Sequence, residues 1–183
     1  MIAAFDGFEI SAVHGGDAWK ICNLMVANEE RFKRYFPKTL EQNLSPTLSQ
    51  LFVEQKVKQF ESKEEFLFTL KHSETRALAA LIYIKELDWE KGQGEFAYCI
   101  GYTFEGRGLI TKAIKFLTVY AFDELGLKTL QIIVNKDNPA SIKVALKNDF
   151  EWQKTLAKAY APPGESPLDM ELYERYKSEV KSS

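Results

Sequence analysis

Residues 94–116 read GEFAYCIGYTFEGRGLITKAIKF, and no other stretch limits the fold as tightly. Residues 94–101 have the pattern of a strand. After Gly106-Arg107-Gly108 the period becomes helical, with Leu109, Ile110, Ala113, Ile114, Leu117, Tyr120 and Ala121 on one face and Gly126 as the stop. A strand must therefore pass through a glycine turn straight into an amphipathic helix. Two uses of such a turn stay open. It can be a tight connection, or it can bind an anion. Gly106 and Gly108 carry no side chain to block a phosphate, and first-turn amides point outward with the positive end of the helix dipole behind them. Arg107, Lys112 and Lys115 add positive charge nearby. The turn is not a Walker loop, because no Gly-Lys-Ser/Thr follows the glycines. It also lacks the first-strand position and downstream acid of a dinucleotide fingerprint.

The rest of the chain supplies a mixed sheet around this segment. Alternation over residues 4–14 predicts one strand, and Gly15-Gly16-Asp17 opens a helical stretch over residues 17–35 with Ile21, Leu24, Met25, Phe32 and Phe36 on its apolar face. Pro37 closes it. Ser45-Pro46 starts another helix, since serine caps early amides and proline at the next position loses only an orphan donor. Strands are predicted at residues 65–71 and 77–86, completing a meander with residues 94–101. Residues 127–134 form the next strand, Asn138-Pro139 begins a helix to about 147, and strands follow at 150–155 and 169–173 around a proline-bearing loop at 161–167. A meander followed by strand-helix-strand units predicts a mixed α/β (α+β) sheet with helices on its faces. No repeat, low-complexity tract or Gly/Ser linker divides the chain, so residues 1–183 are expected to form one domain.

Charge and cysteine usage exclude several function classes. With 24 Lys plus Arg against 26 Asp plus Glu, the formal net charge is -2, so the electrostatic footprint of a nucleic-acid binder is missing. A polyanionic ligand would need a local site. Cys22, Cys99, His14 and His72 stand isolated, without the spacing of a disulfide framework or a zinc site, and no metal is expected. The first residues, MIAAFDGFEI, place Asp6 and Glu9 where a signal peptide is basic and then apolar. The longest clean apolar run, residues 77–84, is too short for a bilayer. A cytoplasmic protein without a membrane or nucleic-acid partner is expected.

GEFAYCIGYTFEGRGLITKAIKF, taken with AFDELGLKTLQIIVNKDNPASIKVALKNDF, resembles the GNAT superfamily of N-acetyltransferases, especially its RimJ/RimL-like branch of ribosomal-protein N-terminal acetyltransferases. The Gly-x-Gly turn paired with the later Asn-x-x-Ser carries the resemblance. It implies an acyl-CoA N-acyltransferase fold with a cofactor-binding core at about 94–155. The strands at 94–101 and 127–134 would splay apart around the pantetheine arm of acetyl-coenzyme A. By position, the backbone of Tyr98, Cys99 and Ile100 would pair with that arm. The amides of Gly106, Arg107, Gly108, Leu109, Ile110 and Thr111 would hold the pyrophosphate, and Asn138 would touch the cofactor arm. The implied reaction is acetyl transfer to a primary amine by direct attack in a ternary complex, in a monomer or homodimer. The implied acceptor is the N-terminal α-amine of a protein, ribosomal proteins included. A small amine or amino sugar is the enzymatic alternative, and a non-catalytic acyl-CoA-binding regulatory module is the alternative from another class. A Rossmann-like nucleotide enzyme is disfavoured by the meander before the glycine turn.

The resemblance also assigns roles. Glu95 matches the glutamate this branch uses to take the amine's proton, through water; otherwise it is a solvated strand-end carboxylate. Ser141 matches the proton donor to coenzyme A, although Asn138-Pro139-Ala140-Ser141 is equally a good helix start. A backbone amide near Ile100 is the expected oxyanion donor. Four positions depart from the family pattern: Glu105 in place of Gln or Arg, Ile110 in place of Ala or Gly, Ala145 in place of the acid tyrosine, and Asp149 in place of glycine. Cys99 reads as core rather than nucleophile. The cluster Arg31 to Phe36, together with Tyr160, reads either as packed surface or as a wall of the acceptor groove.

Overall fold

Asp6 and Gly7 both take positive φ, 48° and 79°, the backbone of a two-residue hairpin for which Asp-Gly is a favoured pair. The single strand expected over residues 4–14 is therefore two, β1 (Ala3–Phe5) and β2 (Phe8–Ala12), paired antiparallel. The computed structural model describes residues 1–179.

The long helix expected next is also divided. α1 (Ala18–Ala27) and α2 (Glu29–Phe32) part at Asn28. This residue is buried, and its amide leaves the helical pattern: Nδ2 donates to the Leu24 carbonyl and Oδ1 accepts the Tyr102 N–H. Pro37 does not end a helix but begins one, α3 (Pro37–Glu41), from the first position, where its missing N–H is harmless. α4 (Pro46–Glu61) starts as expected, with Ser45 Oγ accepting the Leu48 N–H at 3.2 Å.

β3 (Phe66–His72), β4 (Leu78–Asp88) and β5 (Gln93–Ile100) form the antiparallel meander. α5 (Leu109–Asp123) leads to β6 (Thr129–Val134), which runs parallel to β5. α6 (Pro139–Lys147), β7 (Glu151–Tyr160) and β8 (Leu168–Tyr176) follow. The eight strands lie in the order β1-β2-β3-β4-β5-β6-β8-β7, so β8 inserts between β6 and β7, antiparallel to both.

Strand alternation sends side chains to two cores. One holds Phe66, Phe68, Ile82 and Phe96 from the sheet against Ile114 and Leu117 of α5 and Val144 of α6. The other holds Leu67, Leu81, Tyr83 and Cys99 against Ile21 and Met25 of α1, Leu40 of α3 and Phe52 of α4. Among the described residues no helix is long and apolar enough to cross a membrane, and no group of His, Cys, Asp or Glu is arranged to hold a metal ion.

A buried ion pair anchors the start of α1. Asp17 is fully buried and pairs with Lys71 of β3, itself 2% exposed. Its Oδ2 also accepts the His14 N–H at 2.9 Å. Removing one partner strands the other in a low-dielectric interior. Lys71→Met is expected to cost about 3–5 kcal/mol in urea unfolding, with a smaller loss when Asp17→Leu is added. Equal losses for the single and double variants would show that the pair carries no such burden.

Candidate active site

β5 keeps its two neighbours for only half its length. Its pairing with β6 runs from Gln93↔Thr129 to Phe96↔Ile132 and ends there, whereas its pairing with β4 continues to Ile100↔Ala80. Meanwhile β6 stays paired with β8 as far as Val134↔Glu171. The sheet therefore opens between the second half of β5 and the end of β6, as the resemblance implies. The Gly101 N–H donates to the Ala79 carbonyl at 2.8 Å. By alternation the main-chain groups of Cys99 face β4, and those of Tyr98 and Ile100 face the gap. Of the three residues expected to pair with a ligand arm, Tyr98 is free to do so through its backbone and Ile100 through its N–H, because the Ile100 carbonyl accepts from Arg31.

A short 3-10 turn, Tyr102–Phe104, carries the chain from the gap to the glycines. Gly106 and Gly108 take φ of 75° and 70°, and a Cβ on either would meet nothing within 4 Å. The space on the side where each Cβ would stand is open. The first α5 amide bonded back to the turn is that of Lys112, which donates to the Gly108 carbonyl. Helix geometry leaves the amides of Leu109, Ile110 and Thr111 without an intrahelical acceptor. The Leu109 and Ile110 side chains turn into the core, at 3% and 8% exposure, so the bulk of Ile110 does not cover its amide. Arg107 is exposed and lies over the Phe104 ring. Open glycines, free helix-end amides and a strand edge facing a gap fit a ligand with a diphosphate and an amide-bearing arm.

The two predicted proton-transfer residues sit on opposite faces of the sheet. Glu95 lies on β5, across from Lys85 of β4, and shares its face with Ala97 and Cys99, under α1 and α4. Burial raises its carboxyl above the ordinary value of 4.5; Lys85 opposes that shift and Glu86 adds to it. Ser141 lies in the first turn of α6, on the other face. Its N–H donates to Asn138 Oδ1 at 3.2 Å, and its carbonyl lies 3.5 Å from the Tyr98 hydroxyl. Asn138 is thus a helix cap in this structure. Burial pushes the Tyr98 hydroxyl up to about 12 and the Cys99 thiol likewise up to about 12, so both stay protonated at neutral pH. A protonated, buried thiol is no nucleophile, in keeping with the core reading of Cys99. Ala145 is fully buried in the core, and Asp149 takes φ 61°, a conformation that glycine would adopt without strain.

Asn28 gains an importance that the sequence did not suggest, and Arg31, from the cluster read as packed surface or groove wall, reaches the glycine turn instead. The guanidinium of Arg31, exposed on α2, donates to Asn28 Oδ1 at 2.9 Å and to the Ile100 carbonyl at 3.0 Å, and pairs with Glu105. Asn28 in turn holds the Tyr102 N–H at 3.0 Å. The available signal was Asn28 itself, a polar residue interrupting an apolar helical stretch. On the same side Tyr160 donates to the Arg34 carbonyl and stacks on Tyr35, and Arg34 grips Glu165 through two 2.9 Å hydrogen bonds. These contacts tie the proline-bearing loop to the turn between α2 and α3, beside a groove of about 400 Å³ that includes Pro37, Leu40, Glu41 and Leu44.

Residues 9–151 match the family model described as an acetyltransferase (GNAT) domain. The provisionally named ribosomal N-acetyltransferase YdaF of Bacillus subtilis is 26% identical over 134 residues, 73% of this chain and 72% of that protein. The spermidine N(1)-acetyltransferase of Escherichia coli is 32% identical over 78 residues, 43% of this chain and 42% of that protein. Among solved structures, the ribosomal-protein-S5-alanine acetyltransferase of Vibrio fischeri aligns with a TM-score of 0.90 at 16% identity, covering 98% of each chain. At that identity the likeness is one of fold.

The raised carboxyl of Glu95 has a consequence for stability. Folding favours its protonated form, so the ionised form opposes folding above the folded-state value, and this opposition fades as pH falls through that value towards 4.5. Glu95→Gln is therefore expected to melt at a higher temperature than the unaltered protein at pH 7–8, with the difference shrinking on acidification. A lower melting temperature across that range would contradict the burial of the charge.

Proposed function

Because the chain belongs to the acetyltransferase (GNAT) domain family, we propose that it acetylates the N-terminal α-amine of a protein, with ribosomal proteins the foremost candidates. The chain is an N-acetyltransferase, and acetyl-coenzyme A is its acyl donor. The observation that carries the site assignment is the parting of β5 and β6 next to a glycine turn with free helix-end amides. Residues 106–111 would hold the diphosphate, and the Tyr98 main chain would pair with the arm, leaving the Ile100 N–H to the acyl oxygen. Bound there, the donor supplies an activated thioester.

The roles of this chain's residues follow from where they stand. Glu95, on the face under α1 and α4, takes the proton that the ammonium group must lose, through a water molecule. Burial raises its proton affinity, which makes the ionised carboxylate a stronger base. The Ile100 N–H, which faces the gap, donates to the oxygen on which negative charge develops. The Ser141 hydroxyl, across the sheet, gives a proton to the departing sulfur. One N–C bond forms and one C–S bond breaks; of the two protons the ammonium group loses, the first passes through water and Glu95 to solvent, and the second, lost as the N–C bond forms, restores the proton that Ser141 gives to the thiol. No step needs a metal or a covalent enzyme intermediate. Residues 1–183 would act as one domain, in the cytoplasm, as monomer or homodimer.

Spermidine is the second reading, because of the similarity to a spermidine acetyltransferase. The acidic groups of the groove beside α2 favour a peptide. Glu30 pairs with Lys33 and Glu165 with Arg34. Of the lining carboxylates, only Glu41 has no ion-pair partner among the described residues. A polycation would call for more uncompensated negative charge than that.

The discriminating experiment is thiol release from acetyl-coenzyme A across a panel of N-terminal peptides, spermidine and amino sugars. Peptides are expected to give the highest kcat/KM; turnover confined to spermidine or a sugar would overturn the acceptor proposed. With the best acceptor, Glu95→Gln should lower kcat about 100-fold near neutral pH and shift the rise of activity to higher pH. An unchanged pH profile would remove Glu95 as the base.

A further inference from the structure

We propose that Arg31 is a positioning residue for the donor turn, holding the Glu105 carboxylate away from the phosphate cradle while fixing the strand end that leads into it. The proposal rests on the acetyl-coenzyme A reading of the gap. Glu105 immediately precedes Gly106, the first glycine of the turn. A bare carboxylate there would oppose a diphosphate seated on the amides of residues 106–111. Two of the cations near the turn are directed elsewhere: Arg107 lies over Phe104, and Lys112 is engaged with Asp6. The compensating group comes from a distant part of the chain.

Arg31 lies on α2 and its side chain is 35% exposed, yet it is held at three points. Nη1 donates to Asn28 Oδ1 and to the Ile100 carbonyl, and Nη2 pairs with Glu105. The anchor is itself fixed, because buried Asn28 also binds the Leu24 carbonyl and the Tyr102 N–H. Ile100, Tyr102 and Glu105, three points along the path from β5 to the glycines, are thus tied to the α1–α2 junction. An exposed ion pair adds little to folding stability. Its effect here is on the local potential of the cradle and on the direction of the Ile100 main chain. The acceptor-side helices therefore have a direct mechanical and electrostatic hold on the donor turn.

A ladder of charge at one place tests this. Donor dissociation constants, measured by calorimetry with acetyl-coenzyme A at low and high salt, are compared for the unaltered protein, Arg31→Ala, Glu105→Gln and the double variant. Arg31→Ala leaves an uncompensated negative charge and should weaken donor binding about tenfold at low salt, less at high salt. Glu105→Gln leaves a free guanidinium and should tighten binding a few-fold. The double variant should return to within about threefold of the unaltered protein. KM for the donor should follow the same order, with acceptor KM changed less. A double variant as weak as Arg31→Ala, or a Glu105→Gln that weakens binding, would overturn the proposal. If Arg31→Ala does not fold, Arg31→Gln, which keeps a donor for the Ile100 carbonyl, should show the same weakening. Failure of the unaltered protein to bind acetyl-coenzyme A would instead overturn the donor reading of the gap.

Discussion

A buried strand must satisfy its main-chain groups on both sides, and β5 does so on one side only beyond Phe96. The rest of the molecule is arranged around that exception. β4 holds β5 in line to its end, while β8 holds β6 on the other side of the opening. The edge left over is completed in part by the protein, since Arg31 takes the Ile100 carbonyl. What is left is suited to a ligand whose own amides can act as a neighbouring strand. An opening in the sheet also lets groups from its two faces meet, which is the physical basis for placing Glu95 and Ser141 in one reaction although they lie on opposite sides.

The second constraint is electrostatic. A chain with a net charge of -2 offers no general attraction for a polyanionic donor, so attraction has to come from fixed dipoles and a few placed charges. The amides at the start of α5 cost little to keep open, because every helix leaves its first N–H groups unpaired. Glu105 works against them, and Arg31 offsets it from across the fold. A similar balance holds at the groove lined by Pro37 and Leu40, where Lys33 and Arg34 neutralise Glu30 and Glu165.

Much of this could be read from the sequence. The meander, the passage from strand through glycines into α5, and the Asn138 cap of α6 all occur where the residue pattern places them, because each depends on neighbours a few positions away. The elements that differ turned on single residues. Asp6-Gly7 made two strands of one, Asn28 divided a helix, and Pro37 opened a helix instead of closing one. Asn28 broke the pattern because its side-chain partner, the Tyr102 N–H, lies 74 positions away.

The sequence by itself determined most of the elements, a mixed sheet with helices on its faces and the family resemblance, since periodicity, turn chemistry and short motifs are properties of contiguous residues. Only the tertiary structure decided which main-chain groups of β5 face the gap, that Cys99 is engaged by β4, and that Glu105 is paired. It also decided that β8 lies between β6 and β7, that Asp17 meets Lys71, and that Arg34 meets Glu165. Each of these joins residues far apart in the chain. Their partners are chosen by the packing of helices and strands, and no local pattern in the sequence records that choice.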